Sequence, residues 1–132
     1  MKTNDIRNAM KAVIEAANIL PAAHENGTTA TRPYLDIAIA TARRDVFPVA
    51  GGAADRETGS MSVAIVVNEG TYTRAAYDYA DEVAALFPMA LRIPFTGGVL
   101  TIQGAPNIRP GFNADAEYRV PVIVPYIATT TA

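Results

Sequence analysis

With 132 residues, 50% of them hydrophobic and 18% charged, the chain has enough apolar side chains for one sizeable core and too many for wholesale disorder. A formal net charge of -2 excludes a protein whose main work is neutralising nucleic-acid phosphates, which needs a dense Lys/Arg face. The lack of cysteine excludes disulfide scaffolds, thiol nucleophiles and thiolate metal sites. With no apolar run near the ~20 residues of a membrane span and no signal-peptide layout, it points to a soluble, unexported protein of a reducing cytoplasm, with no membrane role.

In chain order, Ile6, Met10, Val13, Ala17 and Leu20 recur at spacings of four and three and predict an amphipathic helix. Thr3, Asn4 and Asp5 supply cap and dipole chemistry at its start, and Pro21 closes it. Tyr34 to Ala42 then alternates, with Leu35, Ile37 and Ile39 on one side and Asp36 on the other, and Met61 to Asn68 alternates likewise. Both predict half-buried strands. The stretch between them, Arg43 to Gly59, contains Gly51, Gly52, Ala53 and Ala54 and is longer than most connections in compact domains, so it reads as a mobile loop that a partner orders.

From Tyr72 the helical period returns through Ala76, Tyr79, Val83 and Leu86, with Tyr77 pointing away from that stripe. Ala90 to Pro94 and Val99 to Gln103 are short strands joined by a turn at Thr96, Gly97 and Gly98. Tyr118 to Tyr126 is a last strand, in which Pro121 and Pro125 have equal parity and strip two amide donors from one lateral side. That side cannot carry a normal central ladder. The expected fold is α+β, a single domain over residues 1–132 with an antiparallel or mixed sheet of about four to five strands and two helices packed on one face.

Few residues suggest chemistry. His24, the only histidine, stands in a polar turn beside Glu25, and Ser62 sits on a strand without a nucleophile elbow. Asp78, Asp81 and Glu82 fall on the solvent side of the second helix, a solvated face rather than a metal or acid–base site. Gly51-Gly52 and Gly97-Gly98 belong to no phosphate-cradling pattern. The reading is of a non-enzymatic protein with no catalytic residue, no metal site and no cofactor.

The second half, from about Gly70 to Tyr126, resembles the tail terminator-like proteins of long-tailed phages, a group that includes the lambda-type terminator. The resemblance is carried by the helix end Ala80-Asp81-Glu82-Val83-Ala84-Ala85-Leu86-Phe87-Pro88, by Gly97-Gly98-Val99-Leu100-Thr101-Ile102, by the turn Arg109-Pro110-Gly111, and by the closing run Tyr118-Arg119-Val120-Pro121-Val122-Ile123-Val124-Pro125-Tyr126. It implies a virion structural protein at the tail–neck junction, assembled in the host cytoplasm. The implied role is a hexameric ring that caps the tail tube protein, stops tube polymerisation and offers its other face to the head–tail connector or neck protein. Genomic DNA would pass through the lumen without specific binding.

With that role, the Arg43 to Gly59 stretch is the expected tube-binding element, and the proline-marked strand edge the expected site of controlled subunit pairing. The candidate subunit or tube interface comprises Arg43, Arg44, Asp45, Phe47, Arg56, Glu57, Arg119, Pro121 and Pro125. Two other readings compete. One is a neck or head-completion adaptor of the virion; the other is a small ligand-binding α+β domain, which a deep pocket lined by Tyr34, Asp36 and Arg119 would favour.

Overall fold

The computed structural model describes residues 3–24, 32–49, 52–68, 73–114 and 116–130. Helix α1 spans Thr3–Ala17 and buries Ile6, Met10 and Ile14. Its apolar stripe therefore runs through Ile14, while Val13 packs partly buried at the margin. The helix stops at Ala17, before Pro21, because Asn18 adopts a left-handed φ of 50°. Asparagine tolerates that conformation at a helix C-terminus better than most residues.

Strand β1, Ala22–His24, lies parallel to β2, Tyr34–Val49, with Ala22 opposite Leu35 and His24 opposite Ile37. His24 thus ends a short strand instead of standing in a turn; three residues are too few for alternation to show. Strand β3, Gly52–Asn68, pairs with β2 in one antiparallel hairpin that runs from Tyr34 opposite Val66 to Val49 opposite Gly52.

This hairpin replaces the mobile loop expected over Arg43 to Gly59. Two features disguise it. A register shift between Thr41 and Arg43 leaves Ala42 as an extra residue, so that Arg44 and not Arg43 stands opposite Glu57 and the alternation read from Tyr34 is inverted there. Gly59, which resembles a loop residue, is needed for close packing: a Cβ there would lie 2.5 Å from the Ala40 carbonyl oxygen and 2.7 Å from the Tyr126 hydroxyl. The hairpin tip, Ala50-Gly51, lies outside the described residues.

Helix α2, Thr73–Ala85, buries Ala76, Ala80 and Val83, and Phe87 extends that stripe just past its end. Tyr79, expected at its centre, is only partly buried, and Tyr77 packs against the core instead of pointing away. Strands β4, Arg92–Phe95, and β5, Gly98–Ile102, form a hairpin through Thr96 and Gly97, where Gly97 has a φ of 91° that favours glycine. Two short strands follow, β6 at Asn107–Ile108 and β7 at Phe112–Ala114, before the long β8, Glu117–Thr130.

Among the described residues the strands form an eight-stranded sheet in the order β1-β2-β3-β8-β5-β4, with β6 and β7 also paired to β8. All pairings but the parallel β1–β2 pair are antiparallel. The strands beyond the expected four or five are β1, β6 and β7, which have 3, 2 and 3 residues.

Strand β8 is central, not an edge. Strand β3 follows one side of it, and β7, β6 and β5 succeed one another along the other. The prolines lie in the gaps of that second side. Pro121 falls between the β7 pairing, which reaches Arg119, and the β6 pairing, which begins at Val122; Pro125 falls between β6, which reaches Ile123, and β5, which begins at Tyr126. Their carbonyls are used, Pro121 accepting from the Arg109 amide at 2.9 Å and Pro125 from the Gln103 amide at 3.0 Å. A missing donor costs little where the partner chain breaks.

Leu35 and Ile37 of β2, Met61, Val63 and Ile65 of β3, and alternate residues from Val120 to Ala128 join the stripes of both helices in one buried cluster. The opposite face of the sheet holds only a small buried pair, Tyr34 and Val66. Replacing Phe87, fully buried in the main cluster, with alanine should lower the unfolding free energy by about 3–5 kcal/mol. The same truncation of Met89, 67% exposed, should change it by less than about 0.5 kcal/mol. Urea unfolding of both variants at one protein concentration checks the contrast.

Candidate assembly surfaces

The hairpin brings six of the sequence-chosen residues together as an arm. Beyond the bulge, Arg44 stands opposite Glu57 and Asp45 opposite Arg56. On the outer face, Arg43 Nε donates to Asp45 Oδ1 at 2.9 Å, and Arg56 Nη2 lies 4.0 Å from Asp45 Oδ2. These are solvent-exposed pairs and contribute little stability. Phe47 is in backbone register with Ala54, and its side chain lies outside the described residues.

On the core face the chemistry differs. Glu57 is 1% exposed, the one buried charged residue among those described. Its Oε1 accepts from Arg44 Nη2 at 2.6 Å and from Arg44 Nε at 3.2 Å, and its Oε2 accepts from the Tyr126 hydroxyl at 2.9 Å. Arg44 Nη2 also reaches Thr3 Oγ1 of α1 at 3.5 Å. Burial, followed by the bond to the Glu57 carboxylate, pushes the Tyr126 hydroxyl far above the usual tyrosine range, so it stays a donor at any physiological pH. Glu57 follows the alternation of β3 past Met61 and Gly59. Continuing that parity beyond Met61 would have placed it on the buried face.

The arm is backed by β8 only in part. Pairing with β8 ends where Arg56 meets Thr129, and the Asp55 amide donates to Thr130 Oγ1 at 3.0 Å. Beyond that point, residues 46–49 and 52–55 form a two-stranded ribbon among the described residues.

The remaining candidates lie on the sheet face opposite the main core. Cross-strand register sets Tyr34, Val66, Arg119 and Phe112 in one row. Arg119 Nη1 donates to Asp36 Oδ2 at 2.9 Å, and Arg119 Nη2 lies 3.0 Å from Glu117 Oε2. Tyr34 is buried, Asp36 and Arg119 are engaged with each other, and no pocket is found among the described residues. Those three residues therefore do not line a ligand cavity here. Pro121 and Pro125 share this face, half-buried, at the register positions of Ala64 and Ser60.

One contact was not visible in the sequence. The Gly111 amide donates to the Tyr77 hydroxyl at 2.9 Å, which lowers the Tyr77 pKa, and Tyr118 donates to the same oxygen, which raises its own. A Cβ on Gly111 would collide with the Tyr118 ring, so the glycine lets α2 latch the turn before β7.

At the arm's root, Arg44→Ala leaves a carboxylate buried with only the Tyr126 hydroxyl, and should lower the unfolding free energy by about 2–4 kcal/mol. Adding Glu57→Gln removes the uncompensated charge and should recover part of that loss. A double-mutant cycle by urea unfolding measures both, and independent, additive effects would contradict the coupling.

Comparison with known proteins places these surfaces in context. A solved structure matches with a TM-score of 0.78 at 24% sequence identity, covering 100% of this chain and 99% of the other; at that identity the likeness shows the fold. No curated protein matches. The family model of the phage tail terminator protein matches residues 5–126, from the first turn of α1 to Tyr126 in β8. The chain therefore belongs to the phage tail terminator family, whose members are structural components of the virion tail that work against other tail proteins.

Proposed function

We propose that copies of this chain form a ring, hexameric as the family resemblance implies, on the last ring of the tail tube. The ring blocks further tube polymerisation and offers its other face to the head–tail connector, with genomic DNA passing through its lumen. It acts at the tail–neck junction, reached by assembly in the host cytoplasm. The observation that carries this reading is the family match over residues 5–126.

The arm supports a more specific assignment. A two-stranded ribbon is marginal in water on its own, so residues 46–49 and 52–55 gain from a surface that covers them. The root of the ribbon is fixed by the Arg44–Glu57–Tyr126 network, which aims it without depending on the tip. In this reading Arg43, Asp45, Phe47 and Arg56 lie where the arm meets the tube protein, while Arg119, Pro121 and Pro125 lie on the sheet face available to a neighbouring subunit. Exposed ion pairs suit such a contact, because they can exchange partners at small cost.

The test adds the purified protein to polymerising tail-tube protein and measures tube lengths by electron microscopy. The wild-type chain should stop growth, and a variant with residues 48–53 replaced by Asn-Gly should keep its thermal midpoint yet leave tubes overlong. A folded tip variant that caps like the wild type would reject the arm assignment, whereas a wild-type chain without effect on tube length would reject the terminator reading.

A further inference from the structure

The sheet is covered unequally. The stripes of α1 and α2 are buried with one set of alternating side chains, while the other set, apart from the buried pair Tyr34 and Val66, is half-buried or exposed among the described residues. Across the middle of that second face, β2 and β3 present Ala38, Ala40 and Ser62, and β8 presents Ile123 beside them, with Ser62 opposite both Ala38 and Ile123. Small side chains on two strands beside a bulkier column on the third make a shallow trough without charge. At one end of it the charges of Arg119, Asp36 and Glu117 are matched internally.

The border toward β4 and β6 is different. Arg92, at the register of Thr101, and Arg109, whose amide binds the Pro121 carbonyl, are exposed and have no ion pair among the described residues. The complementary charge lies elsewhere on the same chain. On α2, Asp78, Asp81 and Glu82 are exposed at spacings of three and four from Asp78, on the side opposite Ala76, Ala80 and Val83, and have no ion pair among the described residues either; with the exposed Arg74 on the same side, the face keeps a net negative charge. Ala85 continues that outward stripe.

We propose that the outward face of α2 of a second copy of this chain docks on the uncovered sheet face, its acidic side chains against Arg92 and Arg109. The inference rests on the ring reading above and names the surfaces that build the ring. Charge complementarity selects this occupant. Two sheet faces meeting about a two-fold axis would bring net positive borders together, and two α2 faces would bring net negative stripes together; helix on sheet matches the net signs. The acidic stripe and the trough are different surfaces on opposite sides of the sheet, so the contact is heterologous, the type that closes into a ring when its rotation does.

The experiment uses the full chain, with light scattering over a concentration series at low and high salt. Arg92→Glu/Arg109→Glu, and separately Asp78→Lys/Asp81→Lys/Glu82→Lys, should each weaken self-association by about tenfold or more. An equimolar mixture should regain it, because alternating copies then set one variant's reversed border against the other's reversed helix, and the two unaltered faces against each other. Because the chain has no cysteine, a Ser62→Cys/Ala85→Cys variant adds a second readout. On oxidation, in solution and on tail tubes, it should form intermolecular bonds between positions 62 and 85, mapped by peptide mass. If the wild type assembles while the charge variants assemble equally well, or if bonds join 62 to 62, this interface is wrong and the ring stands. If the wild type stays monomeric in solution and no bond between copies forms on tubes, the ring reading falls and this inference with it.

Discussion

Strand β8 is paired along both sides, and most of the molecule is arranged by that constraint. Its β3 side is a continuous ladder from Glu117 to Thr129, which sets the register of the long hairpin. Its other side is divided among three strands, and the two prolines fall where one strand gives way to the next. A run such as Tyr118–Tyr126, rich in β-branched and aromatic residues, would be prone to intermolecular pairing if it lay open at an edge. Enclosing it between β3 and the short strands removes that hazard. Pro121 and Pro125 keep the segmented side in register, because a slip of one residue would bring a missing donor opposite an acceptor.

The arm depends on β8 in a second way. Tyr126 is the point at which the apolar column of β8 gives way to a polar contact, and its hydroxyl meets Glu57 across the ladder. The space for its ring is the space Gly59 leaves empty. The bulge at Ala42 then brings Arg44 to the same face, where it neutralises the buried carboxylate. Without the bulge, Arg43 would stand opposite Glu57 and Arg44 would turn to the open face. A bulge, a glycine and a tyrosine thus allow a charged hairpin to leave an apolar sheet at a fixed angle, and a fixed angle is what a projecting contact element needs.

These relations explain what could be read from the sequence and what could not. Alternation in Tyr34–Ile39, Met61–Val67 and Tyr118–Tyr126 marks the three long strands, since each has one face in the core. The helices show through Ile6 and Met10 and through Ala76 and Val83. Alternation fails over Arg43–Gly59 because the bulge inverts the parity of one strand and the exposed arm carries charges on both faces, so the stretch has the composition of a loop. Strands β1, β6 and β7 are too short for a period. The proline parity was legible, but whether the deprived side faces solvent or broken strands depends on residues ten or more positions away. Of the interface candidates, those in the arm were chosen because the stretch is long and reads as exposed. The partners that define their roles, Tyr126 for Glu57 and Asp36 for Arg119, come from the tertiary register.

A sheet with one face buried under helices and the other left shallow has a direction, and that direction limits how copies can assemble. Symmetric pairing of the open faces would satisfy the trough and then stop at two subunits. A ring must avoid that outcome, and unmatched arginines at the border of the trough discourage it by like-charge repulsion. The acidic stripe on α2 is the corresponding half of the device: it is repelled by its own kind and attracted to the arginine border. The residues that oppose the wrong pairing are the ones that favour the right one, so a chain with a net charge of only -2 can still carry directional assembly information on two faces of one sheet layer. The arm, neutral overall, carries none of the residues of that proposed contact.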